Sequence, residues 1–199
     1  MPTLKTAYLP PIEYFVELAK YSVVYMEACE NYVKQSYRNR CYFYSANGRE
    51  MLQVPIVHDN GKIHIPIREV RVDYSTPWVV RTERAIDSAY KSSAYFDYYR
   101  DGLFSILESK PKKLWDLNMA LIEFFSGKLG LEAKILPTVE FSPEEETIHP
   151  KKASGYKGKP YFQVFSSKYG FIDNLSIMDL LFNEGPQAAE YLRQASSML

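Results

Sequence analysis

The order of hydrophobic and polar residues predicts a strand, a short helix and a second strand at the start of the chain. Residues 4–9 form a short apolar run that stops at Pro10-Pro11, where a proline suits the first turn of a helix. Apolar residues then recur at helical spacing, and residues 22–27 form a second run of strand length. This order is typical of a βαβ unit, whose two strands lie parallel.

Two Asn-Gly pairs predict antiparallel hairpins farther along the chain. Asn47-Gly48 and Asn60-Gly61 each separate strand-like runs, and this dipeptide favours the type I′ turn because both central residues need positive φ. The pattern predicts a three-stranded antiparallel meander over residues 41–73 with one apolar face. The expected cross-strand pairs are Phe43 with Leu52, Cys41 with Val54, Ile56 with Ile65, and Val54 with Ile67.

Helical periodicity dominates after residue 73. Thr76 is predicted to cap a helix that begins with Pro77, and residues 112–129 form another helix. Between them, residues 95–107 predict a helix broken at Gly102, because glycine is unfavourable inside a helix.

The last third of the chain combines an irregular stretch with two helices. Residues 137–170 have little periodicity, so they form either a mobile functional loop or a solvated, poorly ordered connection, and the second interpretation is slightly favoured. Ser176 is predicted to cap a helix in which Asp179 completes a capping box. Gly185 then ends that helix, and Pro186 begins the last one.

Together these elements predict a single α/β domain over residues 1–199. It has a mixed sheet with the βαβ unit at its start, the three-stranded antiparallel meander, and helices packed on the sheet. An α+β arrangement is the alternative.

Composition narrows the class of protein. The 199 residues contain 24 Lys plus Arg and 24 Asp plus Glu, which argues against a nucleic-acid binder that relies on bulk positive charge. No apolar run is long enough for a membrane span. Two cysteines, Cys29 and Cys41, without zinc or CxxC spacing fit a reducing compartment, so a cytoplasmic location is expected.

Tyrosine is unusually abundant, with 17 residues. A tyrosine ring packs as an apolar group, but its hydroxyl needs a hydrogen-bond partner. The excess of tyrosine therefore indicates either a partly hydrated cleft or interface, or a core rich in aromatic residues. Eight of the 17 lie in the first 44 residues, which predicts a cleft in the N-terminal half. These are Tyr8, Tyr14, Tyr21, Tyr25, Tyr32, Tyr37, Tyr42 and Tyr44.

Several kinds of chemistry have no support in the sequence. The predicted register places His58 and His64 on opposite faces of the meander, His149 lies in the irregular stretch, and no HExxH spacing occurs. Neither GxSxG nor the phosphate-binding patterns GxxxxGK[ST] and GxGxxG are present. No metal site is therefore predicted, and the cofactor, if the protein uses one, stays unknown.

A cationic segment is the best candidate for ligand binding. Residues 30–40, ENYVKQSYRNR, combine three cations with two tyrosines and two asparagines. Arginine forks bind carboxylate or phosphate at two points, and neutral donors suit hydroxyl groups, so the segment predicts an anionic or sugar ligand. A solvated loop is the competing interpretation. The groups near it that could transfer a proton are Glu27, Glu30, Tyr32 and Lys34.

At these residues the chain resembles the WbqC-like protein family. The resemblance lies in four blocks that follow the family's order: YLPPIEYF at residues 8–15, NYVKQSYRNR at 31–40, the region 78–96 with AYKSSAYF, and NLSIMDLLFNEGP at 174–186. The RNR and LSIMDLLFN parts are the most specific. The chain departs from the family pattern at Lys5-Thr6, Glu13, Ala28, Cys29 and Thr82.

The resemblance implies a role in bacterial surface-polysaccharide (O-antigen-type) biosynthesis, with acyl or aminoacyl transfer to an amino sugar or sugar nucleotide. The alternatives are a non-catalytic module that binds a ligand or associates with itself through exposed aromatic residues, and, ranked last, a nucleotidyltransferase. The substrate-binding residues implied by motif match are Tyr14, Tyr32, Lys34, Arg38, Asn39, Arg40, Asn174, Asp179 and Asn183.

Overall fold

The predicted βαβ unit is confirmed. The computed structural model describes residues 2–57, 64–143 and 146–197. It places β1 (Thr3–Lys5) parallel to β2 (Val23–Glu27), with α1 (Ile12–Ala19) between them. The first strand is shorter than the predicted residues 4–9. The apolar side chains of α1 are buried, and each contributes about 1.5–3 kcal/mol by leaving water.

A third strand completes a parallel sheet. β5 (Lys134–Pro137) pairs with β2 on the side opposite β1, which gives the order β1-β2-β5. All three strands point the same way, so their carboxyl ends share one edge of the sheet. In open α/β sheets, ligands bind outside this edge.

The hairpin at Asn47-Gly48 forms, but in a different register from the prediction. β3 (Arg40–Ser45) pairs with β4 (Gly48–Gln53), and Cys41 lies opposite Leu52 instead of Val54, while Phe43 lies opposite Glu50. Only Gly48 in this turn has a positive φ, 98°. The type I′ prediction, which needs two such residues, is therefore wrong, and the pairing shifts by two residues.

The third strand of the predicted meander does not form in the described residues. Ile67–Glu69 is a single 3-10 turn, and Ile56 bridges Val72 instead of Ile65. The antiparallel part is therefore a two-stranded hairpin, separate from the parallel sheet. The Asn60-Gly61 turn and His58 lie outside the described residues.

Three helices follow: α2 (Trp78–Tyr90), α3 (Phe96–Glu108) and α4 (Leu114–Lys128). The prediction of a break at Gly102 is wrong, because α3 runs through it. A Cβ at Gly102 would lie 2.6 Å from a ring atom of Phe124 on α4. The glycine therefore lets the two helices approach closely instead of interrupting one of them. The predicted Thr76 cap is also wrong, since the cap position is Pro77.

The chain ends in α6 (Ile177–Glu184) and α7 (Gln187–Ser196), separated by Gly185 at φ 54° as predicted. The capping box is wrong: among the described residues, no side-chain hydrogen bond caps α6 at Ser176. The Asp179 carboxylate instead accepts hydrogen bonds from Tyr161 and Gln163.

The described residues between β5 and α6 contain one short helix, α5 (Ser166–Tyr169), and otherwise follow an irregular path. Nevertheless, hydrogen bonds join this stretch to the rest of the fold at Glu27, Arg38 and Glu13. None of the helices in the described ranges combines the length and apolar character needed to cross a membrane. The mixed helix and strand content confirms the predicted fold class.

Candidate functional site

Charged side chains converge where the first two parallel strands end. Lys5 is the last residue of β1 and Glu27 is the last residue of β2, and the two are register partners. The Lys5 Nζ lies 3.8 Å from a Glu27 carboxylate oxygen and 3.9 Å from one of Glu30. The βαβ unit itself therefore brings a cation and two carboxylates to the carboxyl edge of the sheet.

Glu27 is fully buried and fixed in position. Its carboxylate accepts hydrogen bonds from the Ser142 amide at 2.7 Å, the Cys29 amide at 2.8 Å and the Thr138 hydroxyl at 2.8 Å. Burial alone would raise the pKa of the Glu27 carboxyl, but these hydrogen bonds and the charge of Lys5 outweigh burial and lower that pKa. Glu27 is therefore a permanent negative charge at neutral pH.

Arg38 lies beside this pair, with only 1% of its surface exposed. Its Nε and Nη2 donate to the two oxygens of Glu30 at 2.8 and 2.6 Å. Its Nη1 and Nη2 donate to the two oxygens of Glu146 at 2.9 and 3.3 Å. Asn118 fixes the backbone by donating to the Arg38 carbonyl at 2.8 Å. The guanidinium is thus held between two carboxylates.

Burial and ion pairing determine the pKa values of the side chains in this cluster. Burial alone would lower the pKa of the Arg38 guanidinium, but its two carboxylate partners outweigh burial and raise that pKa. Burial raises the pKa of the Glu30 carboxyl, against the opposite influence of Arg38 and Lys5. Burial lowers the pKa of His149, which lies near Glu146 and Arg38, so its imidazole is neutral at pH 7.

A small cavity of about 30 Å³ opens against this cluster. Its wall includes Lys5, Tyr14 and Tyr37, and residues 146–148 from the irregular stretch close one side. Tyr14 is buried and donates its hydroxyl to the Lys5 carbonyl at 2.9 Å. A volume of this size holds a water molecule but not a sugar. A larger ligand therefore requires residues 146–148 to move.

Of the predicted site residues, only Tyr14 and Arg38 belong to this cluster. Lys34 is exposed. Tyr32 is half-buried, and its backbone amide donates a hydrogen bond to the Ile65 carbonyl. Asn39 is buried and donates to the Val54 carbonyl at 3.0 Å, which joins the cationic segment to the chain after β4. Arg40 begins β3 opposite Gln53. These four residues are therefore placed by the hairpin and its entrance, not around the cavity.

The three predicted residues near the carboxyl terminus lie elsewhere in the fold. The side-chain oxygen of Asn174 accepts a hydrogen bond, at 3.0 Å, from the backbone amide of Glu13 in the first turn of α1. The Asp179 carboxylate accepts from the Tyr161 hydroxyl at 2.5 Å and from Gln163 at 2.9 Å, while Asn183 donates to the Asp179 carbonyl at 2.8 Å. None of the described contacts joins Asp179 or Asn183 to Arg38, so the two groups do not form one pocket.

The eight tyrosines that predict a cleft in the N-terminal half are divided between the core and the surface. Tyr8, Tyr14, Tyr37 and Tyr44 are all buried, and only Tyr14 and Tyr37 among them line the cavity at the cluster. The other four tyrosines of this region are half-buried or exposed: Tyr25, Tyr32 and Tyr42 are half-buried, and Tyr21 is exposed.

Sequence reasoning missed Lys5 and Glu146 as members of the cluster. Lys5 lies near the start of the predicted strand, residues 4–9, so the prediction does not place it at the carboxyl edge of the sheet, where the shorter β1 (Thr3–Lys5) ends. Glu146 lies 108 residues from Arg38 in a stretch without periodicity, so no local pattern could connect them. By contrast, Glu27 and Glu30 were correctly placed near the cationic segment.

Metal ligands and thiols are the remaining reactive groups among the described residues. Within the part of the chain that the structure describes, no three His, Cys, Asp or Glu side chains could together hold a metal ion. Cys41 is buried as predicted, and burial raises the pKa of its thiol. The candidate site therefore rests on carboxylates, a lysine and an arginine.

Comparison with known proteins gives a family match. A family model described as the WbqC-like protein family matches residues 6–153, about three quarters of the chain. The chain is also similar to "Uncharacterized protein Rv1507c" of Mycobacterium tuberculosis, with 26% identity over 223 aligned positions that cover 96% of each chain. No solved structure matches. Glu27, Glu30, Arg38 and Glu146 all lie inside the matched region.

Proposed function

The chain belongs to the WbqC-like protein family, and we propose that it binds a small anionic or sugar ligand at the carboxyl edge of its parallel sheet. The proposed reaction is acyl or aminoacyl transfer to an amino sugar or sugar nucleotide during bacterial surface-polysaccharide biosynthesis. The observation that carries this proposal is the convergence of Lys5, Glu27, Glu30 and Arg38 at the strand ends, next to a cavity.

The cost of such a cluster supports a functional role. Removing charged groups from water is unfavourable, and a well-packed apolar substitute often gives equal or greater stability. Ionisable groups with perturbed pKa values also concentrate at functional sites. A buried group of two cations and three carboxylates at the edge where α/β sheets bind ligands therefore fits a binding site better than a purely structural element.

The chemistry of acyl transfer to an amine fits these side chains. The amine nitrogen attacks the acyl carbonyl carbon, the bond to the leaving group breaks, and a proton passes from the nitrogen to the leaving group. Lys5 would stabilise the negative charge that develops on the carbonyl oxygen.

The binding proposal is tested by thermal unfolding with a panel of sugar nucleotides and acyl-coenzymes. A panel member present at about 100 times its Kd stabilises the fold by about 2.7 kcal/mol, which raises Tm by roughly 5–10 °C. We expect this shift in the parent and in Lys91→Gln, whose side chain is exposed, but not in Lys5→Gln. Equal shifts in both variants would place the ligand elsewhere, and no shift with any member would remove the support for this function.

One observation favours a non-catalytic binding module as the second candidate. Arg38, the most buried cation of the cluster, already has both of its nitrogen edges occupied by Glu30 and Glu146. Turnover separates the two candidates, because a binder shows the thermal shift without product formation when donor and acceptor are supplied together.

A further inference from the structure

The two carboxylates on Arg38 differ in how firmly they are held. The Glu30 side chain is 5% exposed and comes from the segment directly after β2, only eight residues from Arg38. The Glu146 side chain is 20% exposed and comes from the irregular stretch. Glu30 is therefore a built-in partner of the guanidinium, whereas Glu146 approaches from the outside.

Glu146 also separates the cavity from Arg38. It lines the cavity together with Lys5 and Tyr14, whereas Arg38 does not reach the cavity wall. The Glu146 carboxylate contacts Nη1 and Nη2 of Arg38 from that side. If Glu146 moves away, the cavity extends to these two nitrogens, which form the geometry that binds a carboxylate at two points.

The local charge balance selects the kind of group that can replace Glu146. Lys5 and Arg38 supply two positive charges, and Glu27, Glu30 and Glu146 supply three negative ones. Replacing the Glu146 carboxylate by another monoanion leaves this balance unchanged. A phosphate dianion would add a second negative charge in a buried place, where an uncompensated charge is costly.

We propose that the outer edge of the Arg38 guanidinium is a carboxylate-binding subsite, filled by Glu146 in this structure and by the carboxylate of a ligand when one binds. The subsite depends on the proposed function for one point alone, namely that the ligand binds at the carboxyl edge of the sheet. It makes a carboxylate-bearing molecule, such as an amino acid or a small organic acid, the substrate class. Glu146 then acts as an internal competitor that the ligand must displace.

Removal of Glu146 should create a binding site for free acetate. In Glu146→Ala, loss of the charged hydrogen bonds lowers Tm by roughly 3–10 °C, and sodium acetate should restore at least half of that loss. Sodium chloride at equal ionic strength should not restore it. Glu140→Ala, which removes an exposed carboxylate from the same stretch, is the control. It measures how much acetate changes Tm without the subsite. Equal effects of acetate and chloride on Glu146→Ala would overturn the subsite.

A second variant keeps the test decisive if Glu146→Ala does not fold. Glu146→Gln retains a hydrogen-bonding side chain but lacks the charge, so acetate should displace it more readily. Saturation-transfer NMR should detect acetate on Glu146→Gln at a Kd at least tenfold lower than on the wild type. Equal acetate binding by the two proteins would contradict the proposal. Success with acetate and failure of every sugar nucleotide or acyl-coenzyme would retain the subsite and reject acyl transfer to a sugar.

Discussion

Replacing Arg38 with methionine should reduce the free energy of unfolding by about 3–5 kcal/mol, the cost of removing one partner of a buried ion pair. The side chain is 1% exposed, and its removal leaves Glu30 with the weaker and more distant Lys5 as its remaining cation. Urea denaturation of the purified protein measures the loss. An effect of this size distinguishes a buried cluster from the solvated loop that the sequence alone left open.

Two further variants show whether the loss comes from the unpaired charge. Arg38→Met combined with Glu30→Gln removes both charges, so we expect it to recover part of the stability lost in the single variant. Arg49→Met is the matched control, because Arg49 is exposed. Its guanidinium carbon lies over the ring of Tyr42, 4.0 Å from the ring centre. A loss in Arg38→Met no larger than that in Arg49→Met would contradict the buried pairing.

Replacing Asp179 with asparagine should remove a large pH dependence of stability. Burial raises the pKa of the Asp179 carboxyl from 3.8 to about 6, although the hydrogen bonds from Tyr161 and Gln163 oppose the rise. The folded state therefore binds this proton more tightly than the unfolded state. The resulting stabilisation is complete below the unfolded pKa and is lost as the pH rises through about 6.

The expected size follows from the difference between the two pKa values. About two units at about 1.4 kcal/mol each give about 3 kcal/mol in total, of which the wild type loses about 2.5 kcal/mol relative to Asp179→Asn between pH 4 and pH 7. Urea denaturation at a series of pH values measures this difference. Tyr161→Phe removes the 2.5 Å hydrogen bond that favours the charged form, so it should extend the loss to higher pH. A pH-independent difference between wild type and Asp179→Asn would contradict this account.

Local patterns predicted most of the secondary structure, and their failures share one physical cause. The βαβ start, α4 and the boundary at Gly185 depend on side chains close in sequence, and they are confirmed. Local propensity predicts a helix break at Gly102, but the missing side chain there makes room for Phe124 of another helix. The local pattern likewise predicts a capping box at Asp179, but Gln163 and Tyr161, 16 and 18 positions earlier, donate hydrogen bonds to its carboxylate.

The candidate site shows the same limit more sharply. The cationic segment contains both Arg38 and Glu30, which pair in the structure and lie only eight residues apart in sequence. Its ligand-binding interpretation did not include Glu146, which occupies the outer edge of Arg38 from 108 residues away. Long-range pairing of this kind depends on the folded path of residues 137–170, which hydrophobic periodicity does not encode. The role of the remaining motif residues as ligand contacts stays a prediction.

An NMR titration of backbone amides with a sugar nucleotide carrying an amino sugar tests the central claim most directly, because it locates the ligand. We predict that the largest shift changes fall at residues 5–7, 27–38, 142–143 and 146–148, around the ends of β1 and β2. The contrary result would be shift changes centred on another cavity, of about 240 Å³, beside Tyr156 and Tyr191, or no shift changes at millimolar ligand.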